Sequence, residues 1–190
     1  MASLTYARFK NEKELLKEII NSLPYDVYPR VSAIGGKRIT PDIDILQIER
    51  TSQGQYRAVG YEVKLMKFNK RSKGLSWIGF YSGIGQTLLL LKNGVQRAGL
   101  ILGFHESIPD DKLIEDFRNW LWDNKELLKR ILGNYISVSL YLYHRGSLST
   151  PIEASSDFYV SDESIRLLSE ELLQRKFTFD KGPLRDGDVS

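Results

Sequence analysis

The stretch Thr40-Pro-Asp-Ile-Asp-Ile-Leu46 places two acids one residue apart among aliphatic residues, and Tyr61-Glu-Val-Lys-Leu65 follows it along the chain. Both segments alternate in the way that is typical of β-strands, so we predict strands over 39–49 and 56–66. The polar segment Ser52-Gln-Gly-Gln55 between them predicts a turn. The two strands are therefore expected to form an antiparallel hairpin.

The charged residues of this hairpin are expected to share one face. On a strand, residues i and i+2 point to the same side, so Asp42 and Asp44 would point one way while Ile43 and Ile45 point the other. Glu62 and Lys64 likewise share a face of the returning strand. The turn position sets Asp44 roughly opposite Glu62 or Val63. The hairpin then gathers three carboxylates and one ammonium on one surface.

The rest of the chain predicts a mixed α/β sheet flanked by helices. We predict helices over 11–23, 77–92, 109–132 and 161–176, and further strands over 26–34, 99–104 and 135–143. A hairpin followed by a crossover helix and another strand implies an antiparallel pair beside a parallel pair. The length of 190 residues is typical of one domain, which we expect over 1–179 with a flexible tail over 180–190.

Composition restricts the kind of metal and partner. The chain has no cysteine and two histidines, which excludes thiolate sites and argues against zinc, so a metal would be held by oxygen atoms. A net charge of +3 permits a polyanionic partner. The apolar runs are too short to span a bilayer and no signal peptide is apparent, so we expect a cytoplasmic protein without a membrane partner.

Carboxylates that lie close together repel one another, and a single lysine does not neutralise three of them. A hard divalent cation such as Mg²⁺ does, because it takes one or two carboxylates together with water and phosphate oxygens. Hydrolysis of a phosphodiester uses a metal of this kind and a nearby ammonium. Basic clusters on both sides of the acids are predicted to bind nucleic acid: Lys37, Arg38, Lys67, Lys70, Arg71 and Lys73.

Pro41-Asp42, followed twenty residues later by Glu62-Val63-Lys64, resembles the motif of the PD-(D/E)XK nuclease superfamily, which includes archaeal Holliday junction resolvases. The predicted order α-β-β-β-α-β over about 10–104 is similar to the core of that family. The resemblance implies a restriction-endonuclease-like fold, with Mg²⁺ as cofactor and Mn²⁺ as a substitute. It also implies that Asp42, Glu62 and the carbonyl of Val63 bind the metal and that Lys64 is catalytic.

Three further residues enter this predicted site. Asp44 is an alternative metal ligand to Asp42, since it stands before an aliphatic pair and the expected register sets it near Glu62. Glu12 lies on the inward stripe of the first helix and resembles a first-helix glutamate of resolvase-like members. Gln86 resembles a glutamine on the helix after the lysine strand, which could orient a phosphate or the lysine.

The function expected from these residues is a Mg²⁺-dependent endonuclease that hydrolyses DNA, including branched or structured DNA, as a homodimer. Two alternatives remain open: a nucleic-acid-binding protein without activity on the same fold, and a metal-dependent RNase. The plainest alternative is an exposed strand face whose charges form ordinary cross-strand salt bridges.

Overall fold

A six-stranded mixed sheet with helices packed on it forms the part of the chain that the computed structural model describes, which is residues 6–23, 27–34, 37–50 and 56–158. The strands are β1 Val27–Ile34, β2 Lys37–Arg50, β3 Tyr56–Met66, β4 Phe68–Asn69, β5 Gly74–Leu75, β6 Arg97–Phe104, β7 Ile136–Leu140 and β8 Ser149–Ile152. The helices are α1 Glu12–Ser22, α2 Ile78–Lys92, α3 Asp111–Asp123 and α4 Lys125–Leu132. The predicted turn at 52–55, helix at 161–176 and tail at 180–190 lie outside the described residues.

The centre of the sheet has the predicted arrangement of one antiparallel and one parallel pair. The order of the sheet is β1-β2-β3-β6-β7-β8. Strands β2 and β3 pair antiparallel from Ile45↔Tyr61 to Arg50↔Tyr56, and β3 pairs parallel with β6. Helix α2 connects β3 to β6, as a crossover between parallel strands requires. The order α-β-β-β-α-β is thus confirmed, with the short β4–β5 hairpin added before α2.

Two apolar clusters cover opposite faces of the sheet. The larger one includes Met66 of β3 and Leu90 of α2, whereas the second includes Val63 and Leu65 of β3 with Leu15 of α1. All five side chains are buried. Because side chains alternate along β3, its even-numbered residues face α2 and its odd-numbered residues face α1.

Strand β2 is irregular near the quoted acids. Between the pairs Val31↔Ile43 and Ala33↔Arg38, β2 advances five residues while β1 advances two. Extra residues of this kind form a bulge, and Asp42 lies within it. The alternation changes separately between the pairs Pro29↔Ile45 and Val31↔Ile43, where Arg30 has a φ of 49°. Ile43 packs in the α2-side cluster and Ile45 in the α1-side cluster, so the prediction that they share one face is wrong.

Other elements also depart from the predictions. The helix predicted over 109–132 is two helices, α3 and α4, separated at Asn124, whose side-chain amide donates to the carbonyl of Trp120 at 2.8 Å. Strand β8 was not predicted; it contains Pro151 and occupies the sheet edge, where a missing N–H is tolerated. Among the described helices, none is long and apolar enough to cross a membrane.

Candidate active site

The candidate site is a gap that opens where β2 leaves β3. The strand pairing stops at Ile45↔Tyr61, so the β2-facing edge of β3 continues without a paired strand. The carboxylate of Asp44 accepts a hydrogen bond from the N–H of Val63 at 2.8 Å, and that of Glu12 accepts one from Leu65 at 3.4 Å. Carboxylates from β2 and α1 therefore take the place of the missing strand.

The second wall of the gap is formed by the two charged residues of β3 that face α2. Glu62 is only 2% exposed, and its Oε1 lies 2.6 Å from Nζ of Lys64. Gly83 of α2 allows this arrangement, because an added Cβ would lie 2.5 Å from Leu100 and 3.1 Å from Cγ of Lys64. A side chain at position 83 would push the helix away from the sheet and disturb the lysine stem.

The acids of the gap are electrostatically unfavourable as they stand. Burial, followed by the charge of Asp44, raises the pKa of Glu62 to about 7. Burial also raises the pKa of Asp44, although the hydrogen bond from Val63 works against this shift. Burial by itself would lower the pKa of Lys64, but its bond to Glu62 and the charges of Glu62, Glu12 and Asp44 raise it. Lys64 therefore stays charged while Glu62 titrates near neutral pH.

An open groove borders this cluster at Glu12 and Lys64, whereas Asp44 and Glu62 are not among its lining residues. Its volume is about 410 Å³. It is lined by Glu12, Lys64, Leu65, Lys67, Ser76, Ile78, Gly79, Ser82 and Gln86. The predicted residues Glu12, Lys64 and Gln86, from three different elements, thus lie around one space. The groove also borders Lys67, the first cation of the predicted phosphate-binding segment.

Asp42 is not part of this cluster. It is exposed and lies in the β2 bulge, where the carbonyl of Pro41 accepts a hydrogen bond from Asn93 at 3.2 Å. Asn93 caps the C-terminal end of α2, whereas the groove is built from the first half of that helix. The charges that chiefly shift the pKa of Glu62 are those of Asp44, Lys64 and Glu12. The structure therefore groups Asp44, rather than Asp42, with Glu62, and the expected surface of three hairpin carboxylates does not form.

The donors in the gap suit Mg²⁺ better than a metal that needs many protein ligands. In the described part of the chain, no three histidine or acidic side chains converge closely enough to hold an ion by themselves. Asp44 and Glu62 offer two carboxylates. The carbonyl of Val63 lies on the same edge of β3 as its N–H, so it faces the gap as well. Mg²⁺ binds through one or two carboxylates and keeps several waters, which fits this set.

The segment after β3 forms a compact basic hairpin. Strands β4 and β5 pair at Phe68↔Leu75 and Asn69↔Gly74. The side chain of Asn69 accepts hydrogen bonds from the backbone of Arg71 and Ser72, which fixes the turn. Four cations of this hairpin are exposed: Lys67, Lys70, Arg71 and Lys73. Lys37 and Arg38 begin β2, and their side chains lie outside the described part of the chain.

Several residues that shape the site were not predicted as site residues from the sequence. Ser76 and Ser82 line the groove, but a serine near the start of a helix carries no specific signal. Gly79 and Gly83 did carry a sequence signal, because glycines are costly within a helix and indicate close packing. Both indeed pack against the sheet: an added Cβ at Gly79 would lie 3.0 Å from the carbonyl of Leu65.

Comparison of the chain with protein-family models, curated proteins and solved structures gives no match. Any functional interpretation therefore rests on the residues and geometry described above.

Proposed function

We propose that this chain is a Mg²⁺-dependent nuclease of the restriction-endonuclease-like fold that hydrolyses phosphodiester bonds of DNA. The observation that carries the proposal is the gap beside β3, where Asp44, Glu62 and Lys64 meet at the end of a groove bordered by basic residues. The element order α-β-β-β-α-β around the gap supports the same interpretation.

Ordinary surface salt bridges do not account for this cluster. Residues in such bridges are exposed, whereas Glu62 is 2% exposed and has its pKa raised to about 7. Asp44 and Glu12 add negative charge around it, while Lys64 and, beside Asp44, Arg30 supply positive charge. An arrangement that costs stability in this way is characteristic of a site that binds a cation or performs chemistry.

The residues divide between metal binding and substrate binding. Asp44, Glu62 and the carbonyl of Val63 would hold Mg²⁺, which supplies polarisation of the phosphodiester and a bound water of lowered pKa. Lys64 remains charged and would stabilise the negative charge that develops on the phosphate. Gln86 and Lys67 line the same groove, so they can contact the neighbouring phosphate oxygens. The remaining cations of the basic hairpin would bind the backbone farther along the strand.

The proposal is tested by incubating the protein with supercoiled, linear and branched DNA, and with RNA of matched sequence, in the presence of Mg²⁺ or Mn²⁺. We expect Lys64→Ala to lower DNA cleavage by at least about 100-fold, as removal of a group that stabilises developing charge does. Lys112→Ala is the matched control, because Lys112 is an exposed lysine of α3 that does not line the groove. Thermal unfolding of each variant checks that it is folded.

The outcomes separate the alternatives. Absence of cleavage of every substrate, or equal cleavage by wild type and Lys64→Ala, would contradict a nuclease with this site. Salt-sensitive DNA binding without turnover would instead support a binding protein. Cleavage of RNA alone would support an RNase with the same metal chemistry.

A further inference from the structure

The outward side of α2 is apolar from one end of the helix to the other. Ile78 is 76% exposed and Tyr81 is 65% exposed, and Leu88 and Leu89 remain 46% and 47% exposed. A surface helix normally presents charged or polar residues to water. We call this side the outer α2 face, which consists of Ile78, Tyr81, Ser82, Gly85, Leu88 and Leu89. Exposed apolar surface of this extent marks an interaction site.

Gly85 lies near the middle of the outer α2 face and packs against no residue in the part of the chain that the structure describes. Among residues 6–23, 27–34, 37–50 and 56–158, an added Cβ at Gly85 would meet nothing within 4 Å, whereas one at Gly83 would collide with Leu100. A glycine inside a helix is unfavourable relative to alanine, so its presence calls for a reason. A glycine at a helix surface allows another backbone to approach closely.

We propose that the outer α2 face is the interface of a homodimer in which the α2 helices of two copies cross at Gly85. The four large side chains leave about 470 Å² uncovered per copy, taking about 200 Å² for a fully accessible large side chain. Two such faces together bury about 940 Å², close to the value of about 1,000 Å² expected of a specific interface. In a two-fold dimer the same patch meets itself, so position 85 of one copy lies against position 85 of the other.

The charge of the face favours a second copy over nucleic acid. Helix α2 contains no acidic residue, and its single basic residue is Lys92, at its last position. A patch that pairs with itself must avoid like charges, which this face does. Phosphate backbones are bound by cations, and the cations next to the groove lie on the basic hairpin instead. The exposed aliphatic residues therefore fit a protein surface of the same composition.

The proposed dimer would also complete the candidate active site. Ile78 and Ser82 belong to the outer α2 face and line the groove that contains Lys64. A second α2 packed on this face would form an additional wall of the groove and bring the two grooves side by side. This consequence rests on the proposed function, whereas the interface itself does not.

The first test is the mass of the full chain in solution, measured by sedimentation velocity and light scattering over a range of concentrations. We expect about 44 kDa, twice the 21.8 kDa of one chain. The double variant Leu88→Glu/Leu89→Glu should raise the dissociation constant at least about ten-fold, because it buries charge without a partner. Ile131→Glu is the matched control: Ile131 is 69% exposed and lies on a different helix, α4. Circular dichroism should show that all three proteins are equally folded.

The second test uses the absence of cysteine from the chain. A single Gly85→Cys substitution should form a disulfide-linked dimer under mild oxidation, much faster than Ile131→Cys at the same concentration. A monomeric wild type, a dimer broken by Ile131→Glu and not by the double variant, or equal crosslinking at both positions would overturn the proposal. The proposal would also be overturned if the wild type is a monomer and the double variant loses DNA binding, because the outer α2 face would then contact nucleic acid. None of these results depends on nuclease activity, so each proposal can fail separately.

Discussion

Replacing Glu62 by glutamine tests the electrostatics of the gap without reference to any substrate. The pKa of Glu62 is about 7 in the folded chain and 4.5 in its ordinary, unfolded environment. A carboxyl whose folded pKa is the higher one holds its proton more tightly when folded. Its stabilising contribution is therefore complete below pH 4.5 and is lost as pH rises toward 7.

The size of this loss follows from the two pKa values. Each pKa unit corresponds to about 1.4 kcal/mol, so ionising Glu62 costs the folded state about 3 kcal/mol by the time pH exceeds 7. Glutamine has nearly the same shape but does not ionise. As pH rises from 4.5 to above 7, the free energy of unfolding of the wild type should therefore fall by about 3 kcal/mol more than that of the Glu62→Gln variant.

The measurement is urea unfolding followed by circular dichroism, in the presence of a chelator, at pH values from below 4.5 to above 7. Glu106→Gln serves as the control for loss of one acidic residue, because Glu106 is exposed on a turn after β6. If the free energies of unfolding of wild type and Glu62→Gln change in parallel with pH, the raised pKa of Glu62 is refuted. Added Mg²⁺ or Mn²⁺ should restore stability to wild type above neutral pH, since a bound cation favours the ionised form.

The other predictions concern α2, the choice of ligand and the basic hairpin. In the Leu88→Glu/Leu89→Glu variant, which is expected to be monomeric, Gly85→Ala should stabilise the chain by about 1 kcal/mol in thermal or urea unfolding, because its site is open among the described residues of one copy, whereas Gly83→Ala should destabilise it by about 1–3 kcal/mol through the clash with Leu100. Asp44→Asn should weaken Mn²⁺ binding at least about ten-fold in calorimetry while Asp42→Asn leaves it unchanged; the reverse order would contradict the grouping of Asp44 with Glu62. Arg71→Glu should lower DNA affinity and reduce the salt dependence of binding by about one or two counterions, and an unchanged salt slope would exclude phosphate contact there.

Much of the fold could be predicted because it depends on local patterns. The apolar period of three to four residues located α1, and the alternation with an intervening polar turn located β2 and β3. The order of these elements then implied one antiparallel and one parallel pair around β3, which the sheet has. Patterns were less informative for β8, whose four residues include a proline and alternate over too short a length.

The break between α3 and α4 shows a different limit. The apolar period continues through Asn124, so the sequence alone predicts one long helix. In the structure, the side chain of Asn124 bonds the carbonyl of Trp120, and a new helix starts at Lys125. Local geometry decides whether a side-chain hydrogen bond competes with the backbone hydrogen bonds of the helix. The spacing of apolar residues carries no information about this competition.

The sequence by itself determined that an acid-rich hairpin, a lysine on its second strand and a basic segment lie close together, since these follow from strand pairing. Only the tertiary structure decided which acids meet. The bulge before Ile43 moves Asp42 to the surface, and the departure of β2 from β3 leaves backbone N–H groups that Asp44 and Glu12 bind. The bulge arises because β1 and β2 advance by different numbers of residues, and the point at which β2 stops pairing with β3 is likewise a property of two strands, so neither can be read from the alternation of one.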